Sequence, residues 1–268
     1  MTTFSHILYH AQCADGFAAA LAAWKVLGNE AEYIPVRHGD PPPLLPSKCR
    51  LAILDFSYSR PVLLELAEFC EALLVLDHHK SAQQELSDLP FAHFDQDKSG
   101  CHMAWNYWHP DCPQPDLFAY VEDRDLWRWA LPESRSVSLA LQTYPMEFSV
   151  WDQLEVTQLQ REGQALLRFQ KQNVERACSR VYWAEVAGHR VPTVNSCLFQ
   201  SEIGEQLCLD HPEASFVGVY YLNQKGLQAW SLRSRGEFDV SLVAQQFGGG
   251  GHRNAAGFAV NGSLGPLE

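Results

Sequence analysis

Residues 73–79 read Leu-Leu-Val-Leu-Asp-His-His, an apolar strand pattern followed directly by one carboxylate and two imidazoles. A strand that ends in this way delivers Asp77, His78 and His79 to the carboxyl edge of a sheet. Open α/β sheets bind their ligands at that edge. Carboxylate and imidazole groups together suit divalent metals such as Mn, Fe or Zn. The stretch therefore predicts both a strand of the sheet and a metal site at its end.

Short apolar runs alternate with helical patterns through the first part of the chain. We predict strands at residues 7–9, 33–36, 51–54, 73–76 and 91–94, and helices at residues 17–24 and 61–70. Strands that alternate with helices favour a parallel, doubly wound sheet. Uninterrupted apolar runs are typical of strands that are covered on both faces. The predicted fold class is therefore α/β.

The pattern changes after residue 150. Residues 151–180 are polar-faced and free of proline, which predicts a long helix that links two domains. Strands are predicted beyond it at residues 181–183, 191–194, 216–221 and 227–232, with a helix at 239–247. We therefore predict a larger domain at 1–150, a linker helix at 151–180 and a smaller α/β domain at 181–268.

Composition and charge narrow the classes of function. The 268 residues are 46% hydrophobic and 19% charged, which fits a folded chain of one or two domains. The formal net charge of −12 differs from the basic footprint of proteins that hold a long duplex, so any nucleic-acid substrate should be short. No stretch reaches the ~18 apolar residues of a membrane span, and residues 1–6 do not begin a signal peptide. We expect a cytoplasmic protein that does not bind membranes.

A first polar cluster follows the first predicted strand. His10, Cys13 and Asp15 lie within six residues, and a tight loop can aim all three at one point. Gly16 would give the backbone room to turn. Alternatively, Asp15 caps the next helix and His10 is a surface residue. The eight cysteines form no Cys-x-x-Cys pair, and apart from Cys13 we interpret them as buried thiols.

Two further acidic sites accompany the Asp-His-His triplet. Asp55 directly follows the strand at 51–54, and Asp123 and Asp125 flank an arginine in the stretch 121–127. The second group could instead form a surface cluster of ion pairs. Together with the first cluster, these carboxylates and imidazoles could hold one or two divalent metals.

A glycine run near the end of the chain predicts an anion site. Residues 248–257 read Gly-Gly-Gly-Gly-His-Arg-Asn-Ala-Ala-Gly. Glycines leave backbone amides open to a ligand, and oriented amides bind anions. His252 and Arg253 add donors for a phosphate, as does the stretch Arg233-Ser234-Arg235. The alternative is a flexible linker.

In this order and spacing, the chain resembles the DHH phosphoesterase superfamily with its DHH-associated C-terminal domain. The resemblance rests on Asp15-Gly16, Asp55, Asp77-His78-His79, the Asp123 region and Gly248–Gly257, across most of the chain. It implies a Rossmann-like N-terminal domain, a linker helix and a smaller C-terminal domain, with the active site in the cleft between the domains. It also implies Mn²⁺ at a paired site. Family members include RecJ-type exonucleases, short-oligonucleotide ribonucleases, phosphatases of pAp and cyclic dinucleotides, and exopolyphosphatases.

The resemblance assigns roles to individual residues. Asp77 and His79 would be catalytic, with Asp77 supporting His78 and His79 facing substrate. The expected metal ligands are His10, Cys13, Asp15, Asp55, His78 and Asp123, with Asp125 as the alternative to Asp123. The expected substrate-binding residues are Arg233, Ser234, Gly250, Gly251, His252 and Arg253.

One position departs from the family pattern. Cys13 stands where the first motif usually has an aspartate. A thiolate is softer than a carboxylate and favours Fe or Zn over Mn. Cys13 could ligate a metal, remain idle, or make the site sensitive to oxidation. The site could then hold one metal rather than two.

The predicted function is metal-dependent hydrolysis of a phosphoester in a short substrate. Candidate substrates are short oligonucleotides, linear dinucleotides and pAp, acted on by a monomer or a homodimer. One alternative is an exopolyphosphatase or pyrophosphatase, whose substrate has no base. The other is a metal- or nucleotide-binding sensor without catalysis, in which Cys13 is a ligand.

Overall fold

The chain divides into two units, residues 1–167 and 168–268, in the computed structural model. The structure describes residues 3–37 and 39–262. Each unit has its own sheet.

The first unit is built on a five-stranded sheet. Its strands are β1 (His6–His10), β2 (Glu32–Val36), β3 (Arg50–Leu54), β4 (Ala72–Asp77) and β5 (Ala92–Phe94). The strand order is β2-β1-β3-β4-β5, and the paired strands run parallel. This confirms the predicted α/β class with a parallel sheet.

Helices lie between these strands and after them, up to residue 178 of the chain. They are α1 (Ala14–Leu27), α2 (Arg60–Phe69), α3 (Lys80–Leu86), α4 (Gly100–Trp108), α5 (Asp116–Asp125), α6 (Ser134–Leu141), α7 (Phe148–Trp151) and α8 (Val156–Cys178). Helices α1, α2 and α8 were predicted from the sequence. Helix α8 begins five residues later than the predicted linker helix. Sequence reasoning made no assignment for α3 to α6, whose short lengths give little periodicity.

Both faces of the sheet are buried, as the apolar runs predicted. Ala52 and Leu54 of β3 pack into one core cluster, and Leu51 and Ile53 pack into another. Successive strand side chains point to opposite faces, so two apolar layers cover the sheet. The alanine-rich α1 lies against β1 and α4, where its small side chains permit close packing.

The strand order determines where a ligand can bind. The chain leaves β1 in one direction to form β2 and then continues on the other side of β1 to form β3. The connection that leaves β1 and the connection that leaves β3 therefore run in opposite directions along the sheet, and a crevice forms between them at the carboxyl ends of these strands. Open α/β sheets bind ligands in this crevice. His10 ends β1, and Asp55 follows β3 directly.

The second unit is built on a mixed six-stranded sheet. Its elements are β6 (Tyr182–Val186), β7 (His189–Asn195), α9 (Gln200–Asp210), β8 (Val217–Leu222), β9 (Gln228–Arg233), α10 (Val240–Gln246), β10 (Gly250–His252) and β11 (Ala255–Val260). The strand order is β10-β11-β9-β8-β7-β6, with β7 and β8 parallel and the other pairs antiparallel. Helix α9 and strand β11 were not predicted.

The glycine run forms part of a β-hairpin rather than a flexible linker. Gly250 and Gly251 lie in β10 and pair with Gly257 and Ala256 of β11. A Cβ at Gly249 would lie 2.1 Å from the carbonyl oxygen of Gly257, so close strand packing explains that glycine.

Within residues 3–37 and 39–262, no helix is long and apolar enough to cross a bilayer.

Candidate metal centre

Asp55 lies at the centre of the candidate site. Its side chain is buried, and its carboxylate oxygens lie 3.2 Å from His78 Nε2 and 3.4 Å from His10 Nδ1. Among the described residues, neither oxygen has a hydrogen bond of ordinary geometry. The backbone at Asp55 has φ 63°, a left-handed conformation that costs energy for most residues but is tolerated by aspartate. Both features point to a ligand for this carboxylate.

Asp77 holds the triplet in place. Its buried carboxylate accepts hydrogen bonds from the backbone N–H of His78 at 2.7 Å and from the Ser57 hydroxyl at 2.6 Å. It also lies 2.6 Å from His79 Nδ1. Burial opposes ionisation of Asp77, but the contact with His79 lowers its pKa below the ordinary range. Asp77 thus orients His79 as well as the backbone of His78, which makes it a positioning residue.

Asp15 is held by the N-terminus of α4. Its carboxylate accepts hydrogen bonds from the backbone N–H groups of Gly100 at 2.6 Å and Cys101 at 2.9 Å. Helix N-termini favour anions because their first N–H groups are unpaired. One alternative for Asp15 was a cap on the helix that follows it, but the helix it caps is α4.

Gly100 was missed by sequence reasoning. A Cβ at this position would lie 2.6 Å from Asp55 Cβ and 2.9 Å from Asp15 Oδ2. Ser99 before it is a typical helix N-cap residue, which would have located the start of α4. No local signal would have shown that α4 begins against Asp15 and Asp55.

Gly16 also has a role other than the predicted one. It lies within α1, and a Cβ there would lie 2.4 Å from the carbonyl oxygen of His10. The glycine permits close approach of α1 to β1, and the backbone does not turn there.

The structure places Asp125, and not the preferred Asp123, beside the triplet. Asp125 Oδ2 lies 3.5 Å from His78 Nε2. The carboxylate of Asp123 accepts hydrogen bonds from the backbone N–H groups of Ala130 at 2.8 Å and Leu131 at 3.3 Å. Asp123 therefore fixes the turn that follows α5, and of the two aspartates it is Asp125 that lies within 4 Å of His78.

Seven residues form what we call the donor cluster. They are His10, Cys13, Asp15, Asp55, His78, His79 and Asp125, which fall into the groups His10-Cys13-Asp55, Asp55-His78-His79 and Asp15-His78-Asp125. Within each group, one possible ligand atom per residue lies within 4.8 Å of the others. The first and third groups share no residue, so the cluster offers donors for two neighbouring metals as well as for one.

Burial and mutual repulsion dominate the electrostatics of the donor cluster. Burial, followed by the charges of Asp55 and Asp125, raises the pKa of Asp15 well above its ordinary range. Burial and Asp55 also raise the pKa of Asp125. Burial opposes protonation of His78, yet its contact with Asp55 and the surrounding carboxylates raise its pKa to about 10. Burial and mutual repulsion thus oppose ionisation of Asp15 and Asp125, and a divalent cation would favour it.

Cys13 lies in the donor cluster but is not poised as a thiolate. Burial, followed by the charges of Asp55, Asp125 and Asp15, raises the pKa of its thiol well above the ordinary value. A cation bound beside Cys13 would lower the pKa of its thiol again.

The predicted substrate-binding residues all lie in the second unit. Arg233 donates hydrogen bonds to Ser201 Oγ at 2.7 Å and to the Leu232 carbonyl at 2.8 Å. Arg253 pairs with Glu237. Ser234, Gly250, Gly251 and His252 lie near or on the β10–β11 hairpin, and the hydroxyl of Ser234 donates to the carbonyl of Phe238 at 2.8 Å.

Comparison of the sequence with known proteins gives two informative relatives, while no family model matches. The chain is 32% identical to the uncharacterised protein R106 of Acanthamoeba polyphaga mimivirus, over 97% of this chain and 68% of that protein. It is 23% identical to oligoribonuclease NrnB of Bacillus subtilis, over 69% of this chain and 52% of that protein. The chain thus spans about two thirds of the length of the first relative and about half that of the second.

Solved structures share the fold over nearly the whole chain. The DHH domain of a member of a family of ribosomal proteins is 13% identical, with a TM-score of 0.55 over 95% of this chain and 82% of that one. The chain has the DHH fold and is related to protein R106. Two further proteins with this DHH fold have TM-scores of 0.52: the pGpG-specific phosphodiesterase PggH of Vibrio cholerae, 12% identical over 96% and 93% of the chains, and exonuclease RecJ bound to manganese, 13% identical over 97% and 86%.

Proposed function

We propose that this chain is a metal-dependent phosphoesterase that hydrolyses short oligonucleotides, linear dinucleotides or pAp-like substrates. The observation that carries the proposal is the buried Asp55 carboxylate, which lacks an ordinary hydrogen bond and belongs to two of the three groups of metal-competent side chains. Metal centres of this composition serve hydrolysis of phosphate esters.

The donor set fits divalent metal. His10, Cys13 and Asp55 would hold one ion, and Asp15, His78 and Asp125 would hold a second. We propose Mn²⁺, because carboxylate and imidazole donors outnumber the single thiol. Support comes from the name of the RecJ structure, which records manganese. Fe or Zn would be favoured if Cys13 ligates.

The chain's own residues would orient the reacting groups. A bound divalent metal supplies Lewis acidity, which lowers the pKa of water and neutralises phosphate charge. Burial opposes protonation of His79, but its contact with Asp77 raises its pKa, so the imidazolium is favoured. With Nδ1 held by Asp77, His79 would donate from Nε2 to a phosphoryl oxygen.

The net charge of the chain and the names of its relatives support a short substrate. A formal net charge of −12 disfavours a long polyanion. The named relatives are an oligoribonuclease and a pGpG phosphodiesterase, both named for short substrates. We further propose that Arg233, Ser234, Gly250, Gly251, His252 and Arg253 of the second unit bind the end of the substrate.

The test is a substrate panel with purified protein and Mn²⁺: pAp, a dinucleotide, a pentanucleotide and polyphosphate. We expect turnover of the nucleotides, and its loss in Asp55→Asn. The matched control is Asp88→Asn, which removes an exposed carboxylate paired with Arg60 in the same unit. Turnover of polyphosphate alone would support an exopolyphosphatase. Tightly bound metal without turnover of any substrate would support a sensor.

A further inference from the structure

A cavity of about 580 Å³ lies beside the donor cluster within the first unit. Four residues of the cluster line it: His10, Cys13, Asp15 and Asp125. Its volume falls within the range of small-molecule sites. Phosphoester hydrolysis at the metals needs no such space, since the phosphoryl group reacts at the donor cluster itself.

Apolar and aromatic side chains form much of the rest of the cavity wall. It is lined by side chains of α5 and α6 and of the segment that follows α6, among them Tyr120, Val137, Leu141, Tyr144 and Met146. Met146 is 43% exposed. A wall of this kind favours a flat, weakly polar group over a phosphate or a sugar.

The hydroxyls of both tyrosines in the wall make hydrogen bonds with side chains of α8. The hydroxyl of Tyr120 donates to the Pro132 carbonyl at 2.8 Å and accepts from Gln160 at 3.1 Å. The hydroxyl of Tyr144 donates to Glu162 at 2.6 Å and accepts from Gln158 at 3.0 Å. Because the hydroxyls are anchored, the rings keep a set position at low entropic cost, as a stacking surface requires.

Polar side chains also line the cavity. Gln12 and Gln142 supply amide groups, which match the mixed donor and acceptor edge of a base. Ser138 of α6 also lines the cavity, but no contact with a base is assigned to its hydroxyl. Gln12 has φ 58°, a left-handed backbone that is uncommon outside glycine, asparagine and aspartate. Arg124 adds a cation to the lining, and its guanidinium lies 4.9 Å from the centre of the Trp127 ring.

We propose that this cavity binds one nucleobase of the substrate, next to the phosphoester that the donor cluster would cleave. The proposal rests on the proposed phosphoesterase function and adds a specificity site to it. The base would stack on Tyr120 or Tyr144 and present its polar edge to Gln12 and Gln142. A polyphosphate has no group that would fill this space.

The test is a binding measurement that does not depend on turnover. Isothermal titration of the Mn²⁺-loaded protein compares adenosine monophosphate with ribose 5-phosphate, which lacks the base. We expect adenosine monophosphate to bind at least about tenfold more tightly. Ser138→Phe places a ring in the cavity from α6 and should remove this preference, whereas the matched Ser138→Ala should keep it. Thermal melting confirms that both variants are folded.

A parallel assay separates the two proposals. Hydrolysis of a dinucleotide is compared with that of its abasic counterpart, which keeps the same phosphodiester. We expect Ser138→Phe to raise the KM for the dinucleotide about tenfold and to leave the abasic substrate unchanged. Equal affinity for the two monophosphates in the wild type, or an unchanged preference in Ser138→Phe, would overturn the nucleobase site even if hydrolysis occurs. A base preference without any hydrolysis would instead reject the phosphoesterase proposal and keep the nucleobase site.

Discussion

Asp123 and Asp125 lie close together in the sequence but have different partners in the structure. They are two positions apart on α5, which rotates their side chains by about 200° about the helix axis. Both cannot face the same site. Asp125 lies beside His78, and Asp123 turns to the backbone of residues 130 and 131.

Substitution of Asp125 should therefore affect metal binding, whereas substitution of Asp123 should affect stability. Asp125→Asn should weaken Mn²⁺ binding by more than about tenfold, because an amide is a poorer ligand than a carboxylate. Asp123→Asn should leave metal binding unchanged and lower the free energy of unfolding by about 1–2 kcal/mol, since it weakens two hydrogen bonds to backbone N–H groups. Metal titration and urea unfolding of both variants measure the two effects. Metal loss in Asp123→Asn alone would reverse the assignment.

Gly100 is required by the packing of two carboxylates. In Gly100→Ala, the new methyl group would meet Asp55 and Asp15, so the start of α4 must shift. We expect a loss of about 1–3 kcal/mol in the free energy of unfolding together with weaker metal binding. Gly250→Ala is the matched control, because a Cβ there has no atom within 4 Å among the described residues. Equal behaviour of the two variants in unfolding and metal titration would contradict this account.

At the scale of elements, a thiol pair joins the start of β3 to the end of α2. Cys49 Sγ and Cys70 Sγ lie 3.3 Å apart, and both residues are buried. Burial, followed by the contact with Cys49, raises the pKa of Cys70 to about 12 from an ordinary value of 9.0. The folded protein therefore prefers the neutral thiol.

This preference predicts a pH dependence in the alkaline range. A folded pKa above the unfolded one stabilises the protein fully below pH 9.0, and the stabilisation is lost as pH rises from there toward 12. Urea unfolding at about pH 8 and about pH 10.5, in the presence of a reductant, should show the wild type losing more stability than Cys70→Ala. A difference between the two proteins that does not change with pH would refute the role of Cys70.

At the scale of the whole molecule, metal binding should be coupled to stability. Asp15, Asp55 and Asp125 place repelling charge in the first unit, and a cation relieves it. At a free metal concentration of about one hundred times Kd, the expected stabilisation is about 2.7 kcal/mol. Thermal melting with Mn²⁺ and with a chelator measures the shift. The shift should vanish in Asp55→Asn and persist in Asp88→Asn; a shift of equal size in both variants would place the metal elsewhere.

Much of the fold could be predicted because its signals are local. The strands of the first unit are short apolar runs, and each is recognised from its own residues and the polar residue that ends it. Helices α3 to α6 lacked such signals because they are short. The hairpin of the glycine run was not predicted, since glycine content alone does not distinguish a ligand-binding loop from a hairpin in which two backbones approach closely.

The sequence by itself determined the class of the sheet, the order of the polar strand ends and the chemistry of the triplet at 77–79. It could do so because alternation of elements and residue type are properties of neighbouring residues. The tertiary structure alone decided that Asp125 lies beside His78, that Asp15 accepts hydrogen bonds from the first residues of α4, and that a cavity adjoins the donor cluster. These features depend on contacts between residues far apart in the chain, which are fixed only when the helices pack against the sheet.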